Sequence, residues 1–182
     1  RVAGARAELD WAFERRDWAG LLVDAAQRGK APTRVAHNDT KINNVLFDSG
    51  TNEALCVIDF DTVMPGLMLF DFGDFTRTSV SPAPEDETDL EKVVVRLDVF
   101  EALAQGWREG SGGMLSEGER ELLPDCGRVI SYELGLRFLA DHLEGDRYFK
   151  VHRPGHNLER ARCQFRLAAE LERRRADLAR LV

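Results

Sequence analysis

His37-Asn38-Asp39-Thr40-Lys41-Ile42-Asn43-Asn44 runs directly into the apolar triplet Val45-Leu46-Phe47. Asp48-Ser49-Gly50-Thr51-Asn52 follows, with turn composition, and then a second apolar run, Leu55-Cys56-Val57-Ile58, that ends at Asp59. Two short strands around such a turn read as a β-hairpin. The hairpin returns Asp59 to the neighbourhood of Asn44. An amide oxygen beside a carboxylate is a hard-oxygen pair that suits Mg²⁺, which keeps waters and takes its other ligands from substrate phosphates. Asp39, in the same polar loop, is placed to orient a hydroxyl and accept its proton. Lys41 is placed to offset charge on a transferring phosphoryl group. These are the side chains that phosphoryl transfer by positioning and electrostatics requires. Asp61 lies close enough in sequence to join or support the same cation. His37 reads as structural, its imidazole bonded to backbone to shape the loop.

The flanks are helical. In residues 5–29, Trp11, Phe13, Trp18, Leu21, Leu22, Ala25 and Ala26 recur at roughly helical spacing, with a break at Arg15-Arg16, a stop at Gly29 and Pro32 beyond it. Residues 61–66 read as irregular loop, and 82–87 as an exposed one. Thr88-x-x-Glu91 and Ser116-x-x-Glu119 both read as capping boxes that open helices. The first helix stops at Gly110-Ser111-Gly112-Gly113, and the second reaches about Glu144 with a break near Pro124. A last helix starts at about Asn157, which reads as its cap, and its surplus of arginine over acid reads as a solvated face. The tryptophans at 11, 18 and 107 read as core or groove. The class is α+β, predominantly helical, in one domain.

Composition narrows the function. The 182 residues are enough for an ordinary core, and 43% hydrophobic with 31% charged content excludes disordered and collagen-like chains. No apolar run approaches the ~20 residues that span a bilayer, so no membrane partner is expected. A net charge of −7 argues against nucleic acid but not against a metal nucleotide, whose metal carries its own charge into an acidic site. Cys56, Cys126 and Cys163 are scattered and have no zinc spacing, which fits reduced thiols in a cytoplasmic protein. The chain carries no signal peptide and does not begin with Met, which points to a piece of something longer.

The spacing H-x-D-x-K-x-x-N resembles the catalytic loop of the protein-kinase superfamily, and Val57-Ile58-Asp59 resembles its metal-binding segment. The literal triplet Asp71-Phe72-Gly73 also looks like that segment. It follows Pro65 and Gly66 rather than a strand, so Asp59 is the better match. "HNDTKINNVLFD", "VIDFDTVMPG" and "FDFGD" resemble the aminoglycoside phosphotransferase-like kinases. Those motifs and "LGLRFLADHLEGDRYFKVHRPGHNLERARCQF" are most similar to the N-acetylhexosamine 1-kinases, over about residues 7–170. The resemblance implies transfer of the ATP γ-phosphate to the anomeric hydroxyl of an N-acetylhexosamine, with Mg²⁺. It implies Asp39 as base, Asn44 and Asp59 as metal ligands, and Arg137 and Tyr148 as sugar contacts. It gives Asp71 a bracing role toward the loop, as cap of a helix from Phe72.

Two alternatives stay open: a kinase of an aminoglycoside, choline or homoserine, and a non-catalytic sugar-binding remnant. For Arg137 a second reading is an ion-pair ladder with Glu133 and Asp141, four residues to either side on one helix. The resemblance also implies a C-terminal lobe, residues 1–182, with the hairpin carrying the metal site. No Gly-rich loop precedes His37, so the N-terminal nucleotide-binding lobe is expected to be missing from this chain. The segment alone is then expected to hold ATP poorly and to be inactive.

Overall fold

The structure is a computed structural model that describes residues 1–182. Helices α1 (Arg6–Glu14) and α2 (Leu21–Gln27) lead into strand β1 (Arg34–Ala36). Strands β2 (Val45–Phe47), β3 (Ala54–Val57) and β4 (Met64–Gly66) follow. Helices α3 (Met68–Ser79), α4 (Leu97–Gly110), α5 (Glu117–Glu144), α6 (His156–Arg173) and α7 (Arg175–Leu178) complete the chain. The α+β, mostly helical expectation holds, and so does the hairpin. β2 and β3 pair antiparallel, Val45 opposite Val57 and Leu46 opposite Cys56. No helix is long and apolar enough to cross a membrane. None of the three cysteines is paired.

The long α5 is the axis of the packing, with α3 on one side and α6 on the other. Three glycines set how closely the helices approach. A Cβ on Gly73 would sit 2.5 Å from Ile130 Cγ1 and 2.8 Å from the Cys126 carbonyl oxygen. A Cβ on Gly127 would meet Thr76 Cγ2 at 2.6 Å, and one on Gly135 would meet the Phe165 ring at 2.5 Å. Bare backbone at these crossings lets α3 and α6 press onto α5. Phe72, Phe100, Leu69, Leu123 and Leu171 are fully buried around the first contact. Trp107 packs against that cluster and touches the Phe72 ring. Trp11 and Trp18 pack with Tyr132 and Phe165 in a second cluster that docks α1 onto α5 and α6.

Ser116 opens α5 as expected. Its Oγ accepts from Glu119 N at 3.1 Å, and Glu119 Oε2 accepts from Ser116 N at 2.8 Å. The Glu119 carboxylate, fully buried, also takes the Arg34 guanidinium at 3.0 Å, which ties β1 to the start of α5. Burial opposes ionisation there, but Arg34 and the Ser116 N–H outweigh it and hold Glu119 below the usual glutamate value. Glu119→Ala strands the Ser116 amide and leaves the Arg34 head with only the Met114 carbonyl. The expected loss is about 2–3 kcal/mol in urea unfolding at neutral pH.

Several boundaries differ from expectation. Residues 64–66 are not loop: they pair with β1, Ala36 opposite Met64 and Arg34 opposite Gly66. The Thr88 box does not form. Asp89 instead accepts from Glu91 N and caps a single 3-10 turn, Leu90–Lys92. Val93 and Val95 are then buried while Val94 is exposed, a period-two pattern that only extended chain provides, and α4 waits until Leu97. Helix α5 runs through Pro124 without a break. Its buried face against α3 and α6 outweighs the lost backbone hydrogen bond. Asn157 does not cap α6. Gly155, at φ 80°, turns the chain into the helix, and the buried Asn157 amide is taken by Asp141 and Asp146. The arginines of the C-terminal helices are less free than a solvated face implies. Arg162 pairs with Glu8, Arg166 and Arg173 with Glu170, and Arg175 with Asp125.

Candidate active site

The loop from His37 to Asn44 is held by its neighbours on every side. Asp71, buried in the first turn of α3, accepts from His37 N at 2.8 Å and from Asn38 N at 2.7 Å. The helix begins at Met68 rather than Phe72, because Leu67 and Leu69 bury themselves there. The Asp71 carboxylate therefore reaches across to the loop instead of capping its own helix. Thr40 Oγ1 donates to Asp71 O at 2.6 Å, and Thr62 Oγ1 donates to His37 O at 2.6 Å. The Asn38 amide donates to Ala36 O and Thr62 O. This clamp holds Asn38 in the left-handed region at φ 63°, which few residues other than Gly, Asn and Asp accept. His37 Nε2 lies 3.1 Å from the Ile58 carbonyl, which requires the Nε2–H tautomer as donor and joins the loop to the base of the hairpin.

The loop brings three of its polar groups together. Lys41 Nζ donates to Asp39 Oδ2 at 2.6 Å. The Asn44 amide, with only 5% of the residue exposed, donates to Asp39 O at 2.8 Å and Asp39 Oδ2 at 3.0 Å. Asp39 Oδ1 carries no hydrogen bond within the chain. Burial pushes the Asp39 carboxyl up, but Lys41 and Asn44 prevail and hold it below the ordinary aspartate value. Asp59 lies at the foot of the hairpin, where Ile58 N donates to Asn44 O at 2.9 Å. It also takes the left-handed conformation, φ 68° and ψ 60°. A hydrogen bond with Asp61 and repulsion between the two carboxylates raise the Asp59 pKa, and Lys41 partly relieves the crowding.

A cavity of about 320 Å³ opens beside Asp39. One helix face of α3 (Phe70, Asp74, Arg77) and one of α5 (Ile130, Glu133, Leu134, Arg137) line it, together with Asn38 and Asp39. Arg77 is pinned by Asp74 at 2.8 Å and Glu85 at 3.3 Å. The ion-pair ladder weighed for Arg137 is absent. Asp141 is occupied by Arg147 N, Tyr148 N, Phe149 N and the Asn157 amide, at 2.7–3.0 Å. The Arg137 guanidinium instead lies 5.5 Å from the Phe149 ring centre and 5.9 Å from that of Tyr148. Tyr148 itself is 74% exposed and stands beside Arg137 without lining the cavity.

Asp74, Arg77 and Glu133 were not singled out from the sequence as candidates for the cavity wall. The signal was present: 70, 74 and 77 share one helical face, as do 130, 133, 134 and 137. Asp141 fixes the turn that carries Tyr148. Burial works against its ionised form, but the backbone N–H groups and Asn157 hold its pKa below the usual value of 3.8. A carboxylate with a depressed native pKa contributes stability above the unfolded value and loses it as pH falls through the native one. Melting temperature is therefore expected to drop steeply on acidification below about pH 4. In Asp141→Asn that acid limb should be shallower, with lower stability at pH 7.

The profile of the phosphotransferase enzyme family (APH) matches residues 2–111, more than half of the chain. The match covers the clamped loop, the hairpin and all of α3. The chain belongs to the phosphotransferase enzyme family, whose kinase-like fold accords with this helical architecture and its small antiparallel sheets.

Proposed function

We propose that this chain is the catalytic part of an ATP-dependent sugar kinase that phosphorylates the anomeric hydroxyl of an N-acetylhexosamine. One observation carries the reading: Asp39, held on one oxygen by Lys41 and Asn44, keeps its other oxygen free beside a cavity of about 320 Å³. The charges around that cavity nearly balance: Asp39, Asp74 and Glu133 face Arg77 and Arg137, with Lys41 bound to Asp39 and Glu85 to Arg77, so that acids exceed bases by one. A polycationic acceptor such as an aminoglycoside calls for a larger surplus of carboxylate, whereas a neutral sugar does not.

In this reading Asp39 Oδ1 takes the proton as the acceptor oxygen bonds to the γ-phosphorus and the bond to ADP breaks. Lys41 offsets negative charge on the phosphoryl oxygens. Arg137 donates to sugar oxygens from the cavity wall, and Tyr148, exposed beside Arg137, is a second sugar contact. The donor set fits Mg²⁺. Asn44 spends its N–H groups on Asp39, so its carbonyl oxygen remains as an acceptor, and Asp59, whose pKa is raised by the Asp61 carboxylate beside it, is crowded in a way that a cation would relieve. Asn44 and Asp59 would hold the ion, which supplies charge neutralisation for the nucleotide phosphates. Leu55 and Val57 are exposed on one face of the hairpin and, with the exposed Phe60 beside it, offer an apolar seat for the nucleotide base.

The test is an acceptor panel with Mg-ATP and the full-length gene product: N-acetylglucosamine, N-acetylgalactosamine, glucose, an aminoglycoside, choline and homoserine. The expected product is a hexosamine 1-phosphate, identified by its phosphorus NMR coupling. A higher kcat/KM for any cationic acceptor would contradict the reading.

A further inference from the structure

Among the charged groups that line the cavity, Asp39 is bonded to Lys41, and Asp74 and Arg77 to each other. Glu133 and Arg137 are the remaining two. They sit one helical turn apart on α5, Glu first, the arrangement in which an exposed pair normally joins. They do not join: neither side chain makes an ion pair or a hydrogen bond, and the guanidinium leans toward Phe149 and Tyr148. The result is an unpaired carboxylate and an unpaired guanidinium on one wall of the cavity that Asp39 opens into.

We infer that Glu133 is an acceptor-binding, specificity-determining residue, whose carboxylate takes hydrogen bonds from acceptor hydroxyls away from the reacting oxygen. The inference rests on the sugar-kinase reading and adds a residue to it. A carboxylate accepts from two neighbouring hydroxyls at once, and a guanidinium donates to oxygens that cannot donate back. Side by side, the two recognise a neutral polyol, which has both kinds of group. They give no advantage to a compound with cations alone, which Arg137 repels. Glu133 takes no part in holding the fold, being exposed and free of partners. Its removal therefore separates binding from stability.

The experiment compares full-length wild type with Glu133→Ala and Glu133→Gln, using N-acetylglucosamine and its 3-, 4- and 6-deoxy analogues. Expected for Glu133→Ala is a KM raised about 10- to 100-fold, the scale of a hydrogen bond to a charged group, with kcat within about threefold. Glu133→Gln, which keeps one accepting oxygen, should recover part of that loss. Melting temperature should move by no more than about 2 °C in either variant. At least one deoxy analogue should be penalised in wild type and not in Glu133→Ala, because the hydroxyl and the carboxylate are partners. An unchanged KM in Glu133→Ala, or equal deoxy penalties in both enzymes, would overturn the inference. If the wild-type enzyme prefers a cationic acceptor, the sugar reading fails separately. An unchanged KM for that acceptor in Glu133→Ala would then dismiss the Glu133 role as well.

Discussion

Asp39→Ala in the full-length enzyme should lower kcat by at least about a hundredfold, the scale of general-base effects, with little change in acceptor KM. Asp39→Asn should do the same, because the amide keeps the shape but cannot take a proton. Both follow from the free Oδ1 beside the cavity and from the two donors on Oδ2 that aim it. Lys41 and Asn44 hold the Asp39 pKa below the usual aspartate value, so the base is already ionised at neutral pH. The acid limb of kcat/KM should therefore lie below about pH 4, and activity should not fall between pH 8 and pH 5 on account of this group. Neither variant should unfold the loop, because its main restraints come from Asp71, Thr40, Thr62 and Asn38 rather than from Asp39. A loss of under tenfold in kcat would remove Asp39 as the base.

Gly73→Val should be the most destabilising single change at the α3–α5 crossing. Even the first added carbon, 2.5 Å from the Ile130 side chain, lies 2.8 Å from the Cys126 carbonyl oxygen, which is backbone and cannot swing away. Gly73→Ala is expected to cost about 1–3 kcal/mol, and the valine more. At this chain length that lowers the melting temperature by about 2–4 °C per kcal/mol. Gly106→Ala is the control. It lies in α4 with nothing within 4 Å of the new carbon, so helix propensity should make it neutral to slightly stabilising. The comparison also decides what the Asp71-Phe72-Gly73 triplet does. Its phenylalanine is core, its aspartate clamps a loop, and its glycine admits a neighbouring helix. A metal-binding turn would instead lose activity in Gly73→Ala with unchanged stability.

The legible parts were the local ones. The polar loop, the hairpin and the Ser116–Glu119 box each need only residues a few positions apart, so their patterns stand in the sequence itself. What misled was competition between partners. Thr88 and Glu91 have the right spacing for a cap, but Asp89 takes the Glu91 amide, and the chain dips Val93 and Val95 into the core. Asn157 has the right identity for a cap, but a buried carboxylate from another helix claims its amide. Arg137 has acids at both helical neighbours, yet Asp141 is already committed to a turn beyond the helix end. The β1–β4 pair was not legible because three-residue strands far apart, one with Pro65 in it, carry no periodic signal. The cavity walls were hidden for a related reason: α3 and α5 meet only after folding.

The site depends on whether Asn44 and Asp59 hold one divalent cation between them. Mn²⁺ binding to the full-length protein, followed by electron paramagnetic resonance in the presence of ATP, reads this directly. Expected are one nucleotide-dependent Mn²⁺ site in wild type and affinity at least about tenfold weaker in both Asn44→Ala and Asp59→Asn, with Asp61→Asn less affected. Wild-type affinity in either of the first two variants would contradict the assignment of the metal to this loop and hairpin.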